Sequence, residues 1–264
     1  MIDPHTRPRF VLGIDMGATT MKAAIVDVAT GAADTPIVVE ESPGDPDSLV
    51  RAVGRLRQQL EWAGPVGCAL PGVVRESQLF RGTNLSPVWA GVDLHRRFVE
   101  ALGSAPVLLN DADAAGLAEA RFGTFHHDEL AILLTFGTGI GSALLARGRL
   151  VPNSELGALA IDGIKFEAVG SARAIHRSRL SAVSWAALVQ PYFAALHALL
   201  SPARWIIAGG LTDRFEEYFG PLQLDAPVVP ATFRSGAGIV GAALAAAIIH
   251  DGDMDGRSVA GGTP

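Results

Sequence analysis

Cysteine is almost absent from this sequence, since Cys68 is the only one among 264 residues. A disulfide framework within the chain is therefore impossible, and a cysteine-based zinc site is excluded. Charged residues make up only 18% of the chain, the net charge is −6, and Lys and Arg form no dense stripe. The chain thus lacks the electrostatic footprint of a nucleic-acid-binding surface.

We also expect neither a leader segment nor an apolar run long enough to span a membrane. Residues 1–9 are polar and contain proline, which is not the pattern of a signal peptide. Apolar stretches such as Ile239–Ile249 are too short and too rich in Ala and Gly to span a bilayer. Together with the single thiol, these features predict a cytoplasmic protein without a membrane partner. After His250 the composition turns to Asp, Gly and Ser, so we expect a disordered tail over residues 251–264.

The two halves of the chain show the same order of predicted elements. In each half an apolar strand meets a glycine turn and resumes as a second strand, at 10–14 and 21–26 and again at 130–136 and 142–146. Further strands are predicted at 36–40, 66–70, 107–109 and 205–208. Helices are predicted at 47–62, 92–102, 112–122, 168–180, 181–200 and 237–249.

This repetition predicts an α/β protein with two similar lobes and a cleft between them. We expect an N-terminal lobe over residues 1–111 and a C-terminal lobe over residues 112–250. The terminal helix, residues 237–249, can pack back onto the first lobe.

The first glycine turn lies in the segment from Asp15 to Lys22, which reads Asp-Met-Gly-Ala-Thr-Thr-Met-Lys. Small residues in a hairpin turn let backbone N–H groups and hydroxyls approach a phosphate closely. Asp15 could hold a Mg²⁺ ion through water. An ordinary β-turn, in which Asp15 bonds its own backbone, explains this segment at least as well when it is taken alone.

The second glycine turn, Gly-Thr-Gly-Ile-Gly from Gly137, follows Thr135. Three alternating glycines with two threonines are consistent with a second phosphate loop. The segment is not the dinucleotide fingerprint, because a strand rather than a helix follows it, and it lacks the lysine of a P-loop. A structural hairpin is an equally good interpretation.

Asn110, Asp111 and Asp113 come where a predicted strand ends and a helix begins. Asn and Asp are favoured helix caps, but one cap does not account for three such residues. A carboxylate at this place can accept the proton of a hydroxyl that attacks a phosphoryl group. The neighbouring amide offers a donor and an acceptor to sugar hydroxyls.

Other polar residues carry weaker signals. Glu155, in a rigid loop between Pro152 and Gly157, could accept two hydrogen bonds from a sugar diol, and Glu167 is a weaker companion. A single loop glutamate is usually only solvated. The run His126-His127-Asp128 is better explained as a solvated loop than as a metal site.

Taken in order, the Asp-x-Gly turn, Asn-Asp-Ala-Asp, Gly-Thr-Gly-x-Gly and Glu-x-Gly resemble the ROK family of sugar kinases. Within the family, the sequence is most similar to the polyphosphate glucokinase branch. The likeness runs from about Phe10 to Ala247. It implies a two-lobed actin/hexokinase-like fold, related to ribonuclease H, and a homodimer. It also implies polyphosphate or ATP as the phosphoryl donor, Mg²⁺ as the cofactor, and no zinc.

The resemblance also implies roles for individual residues. Asp111 would be the catalytic base for the sugar hydroxyl at C6, while the remaining sugar-binding residues would be Asn84, Asn110, Glu155 and Glu167. Asp15 would hold Mg²⁺ through water. The residues expected to hold the donor are Asp15, Gly17, Thr19, Thr20, Lys22, Thr135, Gly137, Thr138, Gly139, Gly209 and Gly210.

Three positions depart from the family pattern. Ala158 stands where the family has a histidine that helps to fix the hydroxyls at C1 and C2, and Ala160 replaces an acidic residue. Losing one such hydrogen bond costs about 1–3 kcal/mol, so unmodified glucose should bind less well. Leu211 replaces a third glycine and could crowd an adenosine or restrict the backbone. Either the pocket accepts a sugar altered at C1 or C2, or the chain is a catalytically impaired sugar-binding pseudokinase.

Overall fold

The computed structural model describes residues 8–82, 85–123 and 129–252. The strands of this part of the chain are β1 (Phe10–Met16), β2 (Thr20–Asp27), β3 (Ala32–Ala33), β4 (Val38–Glu41), β5 (Val66–Leu70), β6 (Gly72–Arg75), β7 (Gln78–Gly82), β8 (Val107–Asn110), β9 (Leu130–Phe136), β10 (Ile140–Ala146), β11 (Arg149–Val151), β12 (Ala160–Ile161), β13 (Ile164–Lys165), β14 (Arg204–Gly209) and β15 (Val228–Pro230). Its α-helices are α1 (Pro46–Gln59), α2 (Leu94–Leu102), α3 (Asp111–Phe122), α4 (Phe166–Gly170), α5 (Ala172–Ser178), α6 (Ala182–Leu200), α7 (Phe215–Phe219) and α8 (Ala237–Gly252). Short 3-10 helices lie at Pro87–Trp89, Leu156–Ala158, Gly210–Arg214 and Arg234–Gly236.

The described residues form two compact units. The first contains the residues up to Ala114 together with those from Gly238 onward, and the second runs from Ala115 to Ala237. The terminal helix therefore groups with the first unit, and the division falls within α3, three residues after Asp111. The lobes expected at residues 1–111 and 112–250 stay a prediction about domain structure.

The first unit is built on a sheet in the order β3-β2-β1-β5-β8, with β4 paired to β2. β1, β5 and β8 are parallel, while β2 is antiparallel to β1. The carboxyl ends of three strands therefore meet at one edge, with Asp15 opposite Ala69 and Leu70 opposite Asn110. Asp111 follows directly at the same edge.

The two faces of this sheet are covered in different ways. On one face, α1 buries Leu49, Val53 and Leu56 against strand residues such as Leu12 and Cys68. On the other face, α8 lies directly on the backbone of the sheet. A Cβ at Gly13 would collide with the carbonyl oxygen of Ile239, and one at Gly67 with that of Ala242. Gly13 and Gly67 are register partners on adjacent strands, so together they leave a flat area of the sheet without side chains, and α8 packs on it.

The second unit has a sheet in the order β11-β10-β9-β14-β15. β9, β14 and β15 are parallel, and β10 is antiparallel to β9. Its core is rich in aromatic rings, which meet mostly edge to face around Phe136 and Trp185. Such contacts give the unit a large buried apolar area.

The predicted strands at 66–70 and 130–136 are confirmed to the residue. The prediction of one helix over 168–180 is wrong, because Ser171 ends α4 and caps α5 by accepting a hydrogen bond from the amide of Ala174. The hairpin of β6 and β7 was not predicted. Its turn uses Glu76 and Ser77 with positive φ angles of 48° and 60°, where glycine or asparagine is usual.

Among the described residues, α6 is long and apolar enough to cross a membrane by length and composition alone. The expectation that every apolar stretch is too short is therefore wrong for this helix. Trp185, Val189, Phe193 and Leu196 nevertheless pack into the core of the second unit, as in the core helix of a globular protein.

Candidate active site

The carboxyl edge of the first sheet gathers several of the predicted site residues. Asp15 lies near the end of β1, the glycine turn follows it, and Asp111 comes immediately after β8. Ligands of open α/β sheets bind outside the carboxyl ends of the strands. This edge is therefore the place in the first unit where a ligand is expected to bind.

Asn110 and Asp111 divide two tasks at the start of α3. The side-chain oxygen of Asn110 accepts a hydrogen bond from the amide of Asp113 at 2.8 Å, and its amide nitrogen donates to the carbonyl of Gly72 at 3.0 Å. Asn110 is only 4% exposed, so it is the helix cap and a brace between β8 and β6. Asp111 is half-buried and accepts a hydrogen bond from the amide of Ala112 at 2.8 Å. The cap does not depend on Asp111.

The carboxyl group of Asp15 faces the first turn of α8. A Cβ at Gly238 would lie 2.5 Å from the carboxyl carbon of Asp15, so only glycine allows this approach. Burial raises the pKa of Asp15 to about 6, and the charge of Lys22, its register partner on β2, opposes that shift. The positive end of the helix also favours the ionised form. Asp15 is thus an anion near neutral pH and titrates just below it.

The first glycine turn is held by Ser42. The amide of Gly17 donates to the carbonyl of Thr20 at 2.9 Å and closes the hairpin. The hydroxyl of Ser42 donates to the carbonyl of Gly17, and its amide donates to that of Thr19. The side chains of Thr19 and Thr20 stay exposed. Sequence reasoning missed Ser42, because nothing in its local pattern indicates a contact 25 residues away.

The second glycine turn joins β9 to β10 in the second unit. The hydroxyl of Thr135 accepts a hydrogen bond from the amide of Gly141, and the amide of Gly137 donates to the carbonyl of Gly139. The carbonyl of Gly137 also accepts a hydrogen bond from the amide of Arg173. A Cβ at Gly137 would meet no atom within 4 Å, so open space lies in front of this turn. Thr135 therefore braces the hairpin, while Gly137 faces that space.

Gly209 and Gly210 lie at the same edge of the second sheet, because Gly209 pairs with Phe136. Gly209 has a φ angle of 83°, and a Cβ there would crowd the backbone of Phe136. Gly210 faces open space. The suggestion that Leu211 crowds a nucleotide is wrong, because Leu211 is buried in the core of the second unit.

Ser142 fixes the loop that carries Glu155. Its hydroxyl donates to the carbonyl of Ser154 at 2.8 Å and accepts a hydrogen bond from the amide of Leu156 at 2.8 Å. The hydroxyl of Ser154 donates to the carbonyl of Ser142 in return. A Cβ at Gly157 would collide with the backbone of Ile140, which explains the glycine of the Glu-x-Gly motif. Ser142 itself has no sequence signal, since it lies inside a strand.

The remaining sugar-side residues are spread over nearby elements of the second unit. Glu155 precedes the 3-10 helix that ends at Ala158, and Glu167 lies half-buried in the first turn of α4. Ala158 and Ala160 are exposed, so neither side chain is part of the core. Asn84 and the run His126-His127-Asp128 lie outside the described residues.

Asp15 suits the predicted role of holding Mg²⁺ through water. Mg²⁺ in phosphoryl-transfer sites is usually held by one or two carboxylates together with water and substrate phosphates. Asp15 supplies one such carboxylate beside a glycine turn. Within the described part of the chain no three His, Cys, Asp or Glu side chains are grouped to hold a metal by themselves.

Comparison with known proteins identifies the family of this chain. A model of the ROK family matches residues 11–155. The polyphosphate glucokinase of Mycobacterium tuberculosis is 35% identical over 244 residues, which cover 91% of this chain and 92% of the relative. The structure of the inorganic polyphosphate/ATP-glucomannokinase of Arthrobacter sp. strain KM has a TM-score of 0.87 at 38% identity, covering 92% of this chain and 100% of that one.

A ROK family glucokinase of Streptomyces griseus, solved in complex with glucose and AMPPNP, has the same fold. Its TM-score is 0.79 at 21% identity, covering 90% of this chain and 99% of that one. The predicted actin/hexokinase-like fold and the predicted family are both confirmed. The chain belongs to the ROK family.

Proposed function

We propose that this protein is a sugar kinase that moves a phosphoryl group from polyphosphate or ATP to the C6 hydroxyl of glucose or a glucose-like sugar. The observation that carries the proposal is the position of Asp111, a half-buried carboxylate outside β8 whose helix is capped by another residue. The named activities of relatives at 35% and 38% identity support the same reaction class.

In the proposed reaction Asp111 acts as the general base. Its carboxylate accepts the proton of the C6 hydroxyl while that oxygen attacks the terminal phosphorus of the donor. A new O–P bond forms, and the bond between this phosphorus and the leaving phosphate oxygen breaks. The products are a sugar 6-phosphate and a donor that is shorter by one phosphate.

The glycine turns serve the donor in this proposal. Because no side chain blocks them, the glycine turns at Gly17 and Gly137 let phosphate oxygens come close to the backbone. The hydroxyls of Thr19, Thr20 and Thr138 can donate hydrogen bonds to phosphate oxygens, and Lys22 adds a positive charge. When bound, Mg²⁺ would neutralise charge on the transferred phosphoryl group, and Asp15 would hold it through water.

Replacing Asp111→Asn tests the base directly. Asparagine keeps an oxygen that can accept the hydrogen bond from the amide of Ala112, so the start of α3 should be unchanged. We expect kcat to fall by a factor of about 10² to 10⁴, with sugar affinity in calorimetry nearly unchanged. Retained turnover would remove Asp111 from the base role. The exposed Glu100→Gln variant on α2 is the control and should keep full activity.

The preferred sugar is the second part of the proposal. Because Ala158 and Ala160 offer no hydrogen bonds where the family has polar side chains, a sugar altered at C1 or C2 should be the better acceptor. We expect such a sugar to exceed glucose in kcat/KM in a coupled assay of hexoses, amino sugars and C1- or C2-substituted sugars. Each sugar is tested with ATP and with polyphosphate. Glucose as clearly the best acceptor would contradict this assignment.

The pseudokinase alternative is less well supported, because Asp111 and both glycine turns are kept. Sugar binding in calorimetry without any donor binding would favour it. We also propose that the protein acts in the cytoplasm as a homodimer, with no nucleic-acid or membrane partner.

A further inference from the structure

Helix α5 and the residue that ends it form a basic segment in an acidic protein. Arg173, Arg177 and Arg179 are all exposed. No Asp or Glu occurs in the sequence between Glu167 and Asp213, although the whole chain has a net charge of −6. Charges of one sign that are not interspersed with the other sign raise the local concentration of counter-ions. The composition of this segment therefore favours contact with an anion.

The basic side chains form a row on the outward side of α5. Arg173, His176 and Arg177 are spaced at i, i+3 and i+4, so they lie on one face of the helix. Ile175, between them, is buried in the core of the second unit. Arg179 ends the helix in the left-handed conformation, with a φ angle of 50°, and continues the row beyond the last turn.

Arg177 and Arg179 form no ion pair with any of the residues that the structure describes. The arginines that do pair with a carboxylate there are Arg9, Arg55, Arg96, Arg97 and Arg214. A guanidinium group has five N–H donors in a planar fork that matches the oxygens of a phosphate. Both side chains can therefore turn these donors towards an anion from solution.

The first turn of α5 lies against the second glycine turn. The amide of Arg173 donates a hydrogen bond to the carbonyl of Gly137 at 3.3 Å. The hydroxyl of Ser171 caps the same helix turn by accepting a hydrogen bond from the amide of Ala174 at 3.2 Å. A Cβ at Gly137 would meet no atom within 4 Å. The row of basic side chains therefore begins beside a glycine turn with open space in front of it, and leads away from that turn.

We propose that Arg173, Arg177 and Arg179 bind the internal phosphates of a polyphosphate donor and so determine a preference for polyphosphate over ATP. The inference rests on the proposed function, in which the glycine turns hold the terminal phosphates of the donor. Beyond its third phosphate, ATP continues as an uncharged nucleoside, whereas polyphosphate continues with a negative charge on every phosphate. Arginines along this path form charge-assisted hydrogen bonds that only the phosphate chain offers oxygens for.

The shape of the row suits a linear polyanion. Arg173 and Arg177 are about 6 Å apart along the helix axis, and Arg179 extends the row further. A single anionic group on a sugar would engage one guanidinium and leave the other two unused. A nucleic-acid strand is a less suitable ligand, because α5 and its flanks carry no Phe, Tyr or Trp on which bases could stack. The arrangement thus favours a narrow chain of phosphates.

Replacing Arg177→Glu together with Arg179→Glu tests the row. We expect KM for long-chain polyphosphate to rise about tenfold, because two attractive charges become repulsive, while kcat and the KM values for ATP and for the sugar change less than about twofold. In the native chain, added salt should raise KM for polyphosphate more steeply than KM for ATP. The double variant should lose most of this difference. Both side chains are exposed, so the circular dichroism spectrum should not change.

Arg147→Glu together with Arg149→Glu is the matched control. Both residues are exposed and two positions apart, and Arg147 has a left-handed φ angle of 53°, as Arg179 has one of 50°. They follow the far end of β10, at Ala146, whereas the glycine turn precedes its first residue, Ile140. About 20 Å of strand therefore separates them from that turn. Because both double variants change the net charge equally, the control accounts for general repulsion, and its KM for polyphosphate should stay near the native value.

Calorimetry measures the same contact without turnover. The affinity of the Arg177/Arg179 variant for long-chain polyphosphate should fall about tenfold, with little change for tripolyphosphate. Native affinity and KM for the long chain in this variant, an equal rise in KM for ATP, an equal effect of the control pair, or equally tight native binding of a thymidine oligonucleotide would each overturn the proposal. A native chain that binds long polyphosphate through α5 but transfers phosphate from no donor would contradict the proposed function instead.

Discussion

Asn110 and Asp111 show how neighbouring polar residues can have separate roles. The carboxamide of Asn110 makes the two hydrogen bonds that the start of α3 and the end of β8 require. The capping interpretation of the sequence is thus right for Asn110, so the residue before Asp111 supplies the cap of α3. We infer that Asn110 positions Asp111, because the cap that Asn110 makes fixes the backbone from which Asp111 projects.

Ser142 is expected to affect the binding of sugar more than turnover, given the proposed function. In Ser142→Ala the amide of Leu156 and the carbonyl of Ser154 lose their partner, and the loop bearing Glu155 becomes free to shift. We expect KM for the sugar to rise by about tenfold, with a smaller change in kcat and none in KM for the donor. Steady-state kinetics with each substrate varied in turn measures this.

Two control variants accompany the Ser142→Ala experiment. Ser142→Thr keeps the hydroxyl and should restore most of the sugar affinity. Ser181→Ala removes a hydroxyl that caps α6, elsewhere in the same unit, and should lower thermal stability without changing KM. An equal loss of kcat and of affinity for both substrates in Ser142→Ala would contradict a role in positioning the loop.

At the scale of elements, the contact of α8 with the first sheet depends on glycine. Gly67→Ala would place a methyl group against the carbonyl of Ala242, so the helix must move away from β5. We expect the free energy of unfolding to fall by about 1–3 kcal/mol, measured by denaturant titration. Because Gly238 faces Asp15 on the same helix, catalysis should weaken too.

Gly44→Ala is the matched control for this element. A Cβ there would meet no atom within 4 Å, and its φ angle is not in the left-handed region. Its stability should be unchanged or slightly higher, since alanine restricts the unfolded chain. A Gly67→Ala protein as stable as the native chain would show that α8 is not fixed by this close approach.

Elements of this fold were predictable to different degrees. Val66–Leu70 and Leu130–Phe136 are apolar runs bounded by clear breaks, and local pattern was enough for them. The turn at Glu76 and Ser77 has no local signature, because both residues have positive φ angles and neither is a glycine or an asparagine. Ser142 and Gly238 act through contacts distant in sequence, so motifs identified the loops of the site but not the residues that hold them.

The whole molecule should show a maximum in stability on the acid side of neutrality. Burial raises the pKa of Asp15 to about 6 and raises that of Glu119, so the folded state keeps protons that the unfolded chain releases. The free energy of unfolding therefore falls as the pH rises from about 4 to about 6. Hydrogen bonds from Arg9 and Ser48 lower the pKa values of Asp27 and Asp45, so stability also falls in stronger acid.

Asp15→Asn should reduce the fall in the free energy of unfolding that the native chain shows as the pH rises from about 4 to about 6. Without an ionisable group at that place, the free energy of unfolding at neutral pH should rise by about 1–3 kcal/mol relative to the native chain. Denaturant titrations from acid to neutral pH, without Mg²⁺ or donor, measure the effect. The exposed Asp213→Asn variant should keep the native profile. An unchanged slope in Asp15→Asn would show that this carboxyl group does not carry the pH dependence.

Because α8 belongs to the first unit, that unit can be completed only after the second unit has been synthesised. The ribosome releases residues 10–114 early, yet the sheet they form lacks the cover of one face until α8 has been synthesised. Residues 115–237 are continuous and can fold as soon as they emerge. A nascent chain stalled before codon 238 should therefore hold a protease-resistant second unit beside a first unit that is still open to cleavage.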